Sequence, residues 1–262
     1  MPQPQKRIPV AREYGVGLIL DSPTWRASRD WGEKLGYTTA ALDRANRKGV
    51  ALIEEIRSAN NGRTGPIVLS GCIGPRGDGY RPAELMSAAE AEGYHAAQIS
   101  TLSQTSADMV SALTIPYVEE AVGITRASRR FGMPVVISFT VETDGRLPSG
   151  QKLKDAIAQV DAETESGPAY FMINCAHPTH FGGVLEDGEQ WVDRIGGLRA
   201  NASSKSHADL DEATEIDEGD PVELGSQYRA LRPHLPKVSV VGGCCGTDYR
   251  HVAEVCRAWS DL

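Results

Sequence analysis

The stretch VVGGCCGTD (240–248) sets two adjacent cysteines among glycines, directly after an apolar, β-branched run. A disulfide between such neighbours is disfavoured. Their Cα atoms lie about 3.8 Å apart across a trans peptide, whereas ordinary bridges span roughly 4.4–6.8 Å. Free cysteine packs like a small hydrophobe, so burial in a core is a second reading. A core position, however, has no use for Gly242, Gly243 and Gly246 around it. The third reading is a metal site, which needs further ligands from elsewhere in the chain.

Working outward, KVSVVGG (237–243) is the last of seven short apolar runs. The others are GVGLILD (15–21), PIVLSG (66–71), ADMVSAL (107–113), PVVISFT (134–140), AYFMINC (169–175) and IGGLRAN (195–201). They are nearly continuous in apolar residues rather than alternating, the pattern of parallel strands covered on both faces. Amphipathic stretches over 38–58, 83–102, 116–131, 151–165, 223–231 and 248–259 separate them. Strand and helix alternating at this spacing predict βα units with right-handed crossovers. No linker, repeat or low-complexity segment interrupts the series, so residues 1–262 read as a single domain. Residues 1–10 read as a polar N-terminal lead, followed by VAREYG as the last turns of a helix.

The strand exits choose between a barrel and an open sheet. Thr24, GCIGPRGDGY (71–80), Thr114, TVETDGR (140–146), NCAHPTH (174–180), NASSKS (201–206) and GGCCGTD (242–248) all follow C-terminal strand ends. In a barrel those ends converge on one mouth, whereas an open sheet spreads them along an edge and uses only the switch point. The fold class is therefore α/β, a (β/α)₈ TIM-type barrel in which seven parallel strands can be counted and the first is missing. The lead QKRIPV is too short and polar to serve as a core strand, and Pro9 removes a donor. A cleft between the first and last countable strands is the expected result.

Composition excludes several functions. At 262 residues, 40% apolar and 24% charged, the chain is of ordinary globular type. A net charge of −8 leaves no basic stripe for nucleic acid. No apolar run is long enough to span a membrane, and the N-terminus lacks a signal-peptide core. Five cysteines, an odd number without framework spacing, predict a reducing, cytoplasmic setting with free or metal-bound thiols.

In the barrel reading, Cys175 ends one strand while Cys244 and Cys245 follow another. Two exits at one mouth can bring three thiolates within about 2.3 Å of a single Zn²⁺, leaving an open fourth position as catalytic zinc sites do. Two other sites compete. Cys175, His177 and His180 could wrap an ion locally, and the GGCCG loop could bind phosphate on free N–H groups. The first strains against Pro178, and the second leaves three thiols unexplained. Thr24 and Thr140 are each a pocket residue or a strand-end cap. Asn174 could donate to a substrate carboxylate or a thiolate. Cys72 and Cys256 read as packing residues, and SHADLDEATEIDEGD (206–220) as a solvated acidic flap.

NCAHP (174–178) together with VVGGCCGTDYRHV (240–252) resembles the zinc-binding signature of the homocysteine S-methyltransferases. The likeness extends over roughly residues 11–260. It includes DSPTWRAS (21–28), SGCIGPRGDGY (70–80) and VVISFTVETDGRLPSG (135–150), which resemble the family's second, third and fifth strands with their exits. The resemblance implies Zn²⁺ held by Cys175, Cys244 and Cys245, and catalysis through it. It also implies homocysteine and a methyl donor as small-molecule partners, with Thr24, Thr114, Thr140 and Asn174 at the substrate. Two features differ from the family pattern. Its first strand, with Asp-Gly-Gly, has no counterpart, and Leu113 and Thr114 stand where many members carry Glu-Thr. Another small thiol as acceptor, or a metal-binding protein without turnover, therefore stays open.

Overall fold

In the computed structural model, which describes residues 3–186 and 189–260, each of the seven apolar runs forms a strand. They are β1 (Leu18–Asp21), β2 (Ile67–Ile73), β3 (Met109–Ile115), β4 (Val135–Phe139), β5 (Tyr170–Asn174), β6 (Ile195–Ala200) and β7 (Val240–Gly243). All pair in parallel and lie side by side in chain order. The expected helices follow as α3 (Thr39–Asn60), α4 (Ala88–Ser103), α5 (Val118–Arg130), α6 (Leu153–Thr164), α9 (Pro221–Leu231) and α10 (Tyr249–Trp259). Shorter helices α2 (Arg29–Lys34), α7 (Pro178–Leu185) and α8 (His207–Asp211) interrupt strand exits that read only as loops.

Strand β4 is buried along its whole length, and its neighbours nearly so, which is why these segments carry no alternation. Val110, Ile115, Val135, Ile137, Phe139, Phe171, Ile173 and Leu198 form the centre of the core, covered by Val118, Val122 and Ile124 of α5.

The polar N-terminal lead is helical from residue 3: helix α1 spans Gln3–Glu13 and takes in the start of VAREYG (10–15). Its few apolar side chains explain this. Ile8 packs on Leu20, Ile53, Ile56 and Leu69, while Val10 packs on Val252 and Cys256. Burial of these residues outweighs the low helix propensity of a segment containing Pro9. Cys256 takes the packing role expected of it, and Cys72 is buried in β2.

The sheet curls into a barrel that stays open on one side. Asp21 at the end of β1 pairs with Arg199 of β6, a contact possible only if the far strands swing round to face each other. Among the described residues β1 and β7 do not pair with each other. The expected cleft lies between them, a cavity of about 990 Å³ that follows both strands along their length. Arg7, Tyr170, Met172, Arg199 and Trp259 contribute to its walls.

Two unpaired parallel edges facing one gap make a template for one further strand. A short apolar strand fused ahead of α1, on a loop long enough to reach the gap, should raise the thermal midpoint by about 5 °C or more. Calorimetry on the fusion checks this; an unchanged midpoint would show that the gap does not accept a strand.

Candidate metal centre

Cys175 and the Cys244–Cys245 pair sit on strands separated by β6, and the exit of β6 ties them together. The Cys175 N–H donates to Arg199 O (3.1 Å) and the Cys244 N–H to Ala200 O (2.8 Å). Asn201 then reaches both ways. Its N–H donates to Ala176 O (3.0 Å), and its Oδ1 accepts from the Cys245 N–H (3.1 Å). The Ala202 N–H donates to Cys245 O (3.0 Å), completing the seam.

Cys175 itself has φ +55, a left-handed conformation that costs a non-glycine residue about 1–3 kcal/mol. The turn carries its sulfur away from the strand line toward the β7 exit. At Gly246, φ is +75 and a Cβ would meet Asp217 O at 2.4 Å, so only glycine lets the double-cysteine loop close there.

The three sulfurs lie within 4.8 Å of one another, and Cys175 Sγ is 3.7 Å from Cys245 Sγ. Sulfurs around a tetrahedral Zn²⁺ with 2.3 Å bonds are roughly 3.8 Å apart, so the donor set fits such an ion. The cluster also divides its protons unevenly. Hydrogen bonds from Cys175 and then Cys245 pull the Cys244 thiol well below the usual range, helped by Arg199. Cys175 is pushed up by the hydrogen bonds it makes to Cys244 and Cys245, and by burial. For Cys245 the bond to Cys175 acts downward, but Cys244 and burial outweigh it and push the thiol up to about 11.

Asn174 links this cluster to the β3 exit. Its Oδ1 accepts from the Thr114 N–H (2.9 Å) and Ser138 Oγ (2.6 Å). Its Nδ2 donates to Thr114 Oγ1 (2.8 Å) and approaches Cys244 Sγ (3.9 Å). Thr114, with φ +64, is a second strained residue, held by this one amide. The hydroxyl of Thr140 is buried at the β4 exit without a partner among the described residues. Thr24 is engaged locally: its Oγ1 donates to Cys72 O (2.7 Å) and lies 2.6 Å from Ser22 Oγ.

His177 and His180 cap α7. Burial, then His180, pulls His177 down to about 4, and its Nδ1 lies 2.8 Å from Thr179 Oγ1. His180 Nε2 lies 2.9 Å from Ser204 O. Both rings hold loops, and neither joins the sulfurs in a metal-ligating cluster among the described residues.

Three residues were not singled out by sequence reasoning. His207 Nε2 lies 2.6 Å from Cys175 O, its Nδ1 is 3.2 Å from Glu142 Oε1, and the Tyr80 ring packs on it. Tyr80 and Glu142 lie in strand exits already marked as polar, but nothing in their spacing announces the contact. The acidic flap is likewise more than a solvated charge run. Glu218 O accepts from His251 Nε2 (2.8 Å), and Arg250 pairs with its carboxylate (2.8 Å), pressing Asp217 against the double-cysteine loop.

Comparison with known proteins gives a consistent picture. A family model described as homocysteine S-methyltransferase matches residues 15–259. The homocysteine S-methyltransferase YbgG of Bacillus subtilis (strain 168) is 25% identical over 206 residues, 74% of this chain. The chain spans 61% of the length of that relative. The homocysteine methyltransferase MmuM from Escherichia coli superposes in its metallated form with a TM-score of 0.76 at 16% identity, covering 98% of this chain and 85% of that one. Its oxidised form gives 0.77 at 18% identity over 98% and 84%. These superpositions establish the barrel fold.

Protein purified without chelator should contain about one Zn²⁺ per chain, read by elemental analysis. Cys245→Ser should remove most of it and Cys256→Ser none; equal loss from both would mean unfolding rather than lost ligation. Asn174→Ala leaves the Thr114 N–H and Ser138 hydroxyl unpaired, so urea unfolding should show a loss of about 2–3 kcal/mol.

Proposed function

The chain belongs to the homocysteine S-methyltransferase family, and from that premise we propose a zinc-dependent methyl transfer to the thiol of homocysteine, giving methionine. The donor is of the sulfonium or betaine type. The observation that supports this most directly is the triad of sulfurs at tetrahedral spacing on two strand exits. Cys175, Cys244 and Cys245 would hold the zinc, and the bound ion would supply Lewis acidity that lowers the pKa of an acceptor thiol. The acceptor sulfur attacks the donor's methyl carbon in line. A new S–C bond forms as the donor's C–S or C–N bond breaks, and the departing electron pair cancels the donor's positive charge.

The chain's own residues set the stage for that displacement. Asn174 fixes Cys244 and the strained Thr114 together, so ligand and pocket wall move as one piece. Thr114, Thr140 and Asn174 are the proposed acceptor contacts, Thr140 because its buried hydroxyl has no other partner among the described residues. Thr24 serves the substrate side through the wall it stabilises, its hydroxyl being already engaged. Glu142 places a carboxylate at the mouth, which suits a cationic donor. All five cysteines are free, and no helix among the described residues is long and apolar enough to cross a membrane.

A second reading keeps the chemistry and changes the acceptor thiol. The pair Leu113-Thr114 favours it, since it stands where many family members carry Glu-Thr and so brings no carboxylate to that position. A donor panel decides between them. Zinc-loaded protein should form methionine from homocysteine with S-adenosylmethionine, S-methylmethionine or betaine, followed by mass spectrometry, and Cys245→Ser should abolish it. Full zinc content with no methylated thiol from any donor would falsify the enzymatic reading and leave a metal-binding protein.

A further inference from the structure

The loop between β2 and α4, residues 74–87, crosses the mouth as an arch clamped at both feet. At one foot the Arg76 N–H donates to Glu120 Oε1 (2.7 Å), and the same oxygen lies 2.9 Å from His95 Nε2. Glu120 and His95 are almost wholly buried, with side chains 1% and 0% exposed. At the other foot the Met86 N–H donates to Tyr117 Oη (3.1 Å). Tyr117 and Glu120 both belong to the start of α5, so one helix turn holds the two ends. Arg76 also reaches Asp30 Oδ2 with its Nε (2.7 Å).

The crown of the arch is shaped just as closely. Asp78 Oδ1 accepts from the N–H groups of Tyr80 (2.7 Å) and Arg81 (3.1 Å), an Asx turn that presents Tyr80. Gly79 lies flat on the β3 exit, where a Cβ would meet Thr114 Cγ2 at 2.8 Å and Thr114 O at 3.0 Å. The Tyr80 ring then packs on His207, centroids 4.2 Å apart, and His207 bonds the carbonyl of Cys175.

Burying a carboxylate such as Glu120 costs several kcal/mol unless it is well bonded. A surface loop joining a strand to a helix has no need of such an anchor. We propose that Tyr80 is a substrate-contacting residue whose ring, held by this arch on His207 and so beside Cys175, forms one wall of the acceptor-thiol pocket and limits the size of the thiol admitted. This rests on the methyltransferase reading above.

The test uses the whole chain with Co²⁺ in place of Zn²⁺. Thiol binding is followed by the cobalt visible spectrum, and metal retention by competition with a chelator. Tyr80→Phe keeps the wall and should bind homocysteine within about threefold of wild type, whereas Tyr80→Ala should weaken it by about tenfold or more. The alanine variant should gain on a bulkier thiol, benzyl mercaptan, with metal retention unchanged. Tyr80→Leu, expected to shift in the same direction, replaces it if alanine does not fold. Unchanged homocysteine binding in Tyr80→Ala overturns the proposal, as does metal loss in step with thiol loss, which would make Tyr80 a prop for the cluster. A wild-type spectrum indifferent to every thiol overturns the methyltransferase reading together with this one. The Tyr80 result taken alone leaves that reading standing.

Discussion

Everything at the mouth depends on the few backbone hydrogen bonds that leave the end of β6. Parallel strands stand about 4.8 Å apart, so the exits of β5 and β7 begin too far from each other to share one ion. The seam through Arg199, Ala200, Asn201 and Ala202 draws both cysteine loops inward over the end of the intervening strand. It also explains the local strain. Cys175 leaves the strand in a left-handed conformation, at the point where its N–H is bonded to β6. The His207 contact to the Cys175 carbonyl and the Asn201 bond to Ala176 hold that turn from both sides.

The barrel and the cysteines that cluster at its mouth were legible in the sequence because both rest on local signals. Continuous apolar runs mark buried parallel strands wherever they occur, and a Cys-Cys pair wrapped in glycine has few structural uses. The beginning of the chain was less legible. The segment looks polar because, among the described residues, the buried apolar side chains of α1 are Ile8, Val10 and Ala11. The roof over the site was invisible for another reason. Tyr80, His207 and Glu142 come from three different strand exits and meet only after the barrel has curled, so no window of sequence contains their contact. Thr24 shows the converse. Its position at a strand exit is unexceptional, and only the fold reveals that its hydroxyl bonds a neighbouring strand.

The Asp21–Arg199 pair has a different place in the architecture. It joins strands that are not neighbours, across the interior of a barrel open between β1 and β7. Burial alone would lower the basicity of Arg199, but Asp21 outweighs it and the guanidinium is held more firmly protonated than usual. Breaking such a pair by removing one partner leaves an uncompensated charge in a partly buried channel. Arg199 also adds its field to the one that favours a thiolate at Cys244. The same side chain thus serves the curvature of the sheet and the electrostatics of the sulfurs.

The strands lie side by side in the order in which they occur along the chain, and that spatial order is also an order in time during synthesis. A chain leaving the ribosome can complete β1 to β4 and clamp the Tyr80 arch onto α5 before Cys175 has been made. Cys244 and Cys245 come only after the last of the described strands, β7. A metal ion captured by the nascent chain would find one thiol and no partner until the sheet is all but finished. Metal loading at this cluster, as proposed, would therefore have to wait until both strand exits are in place.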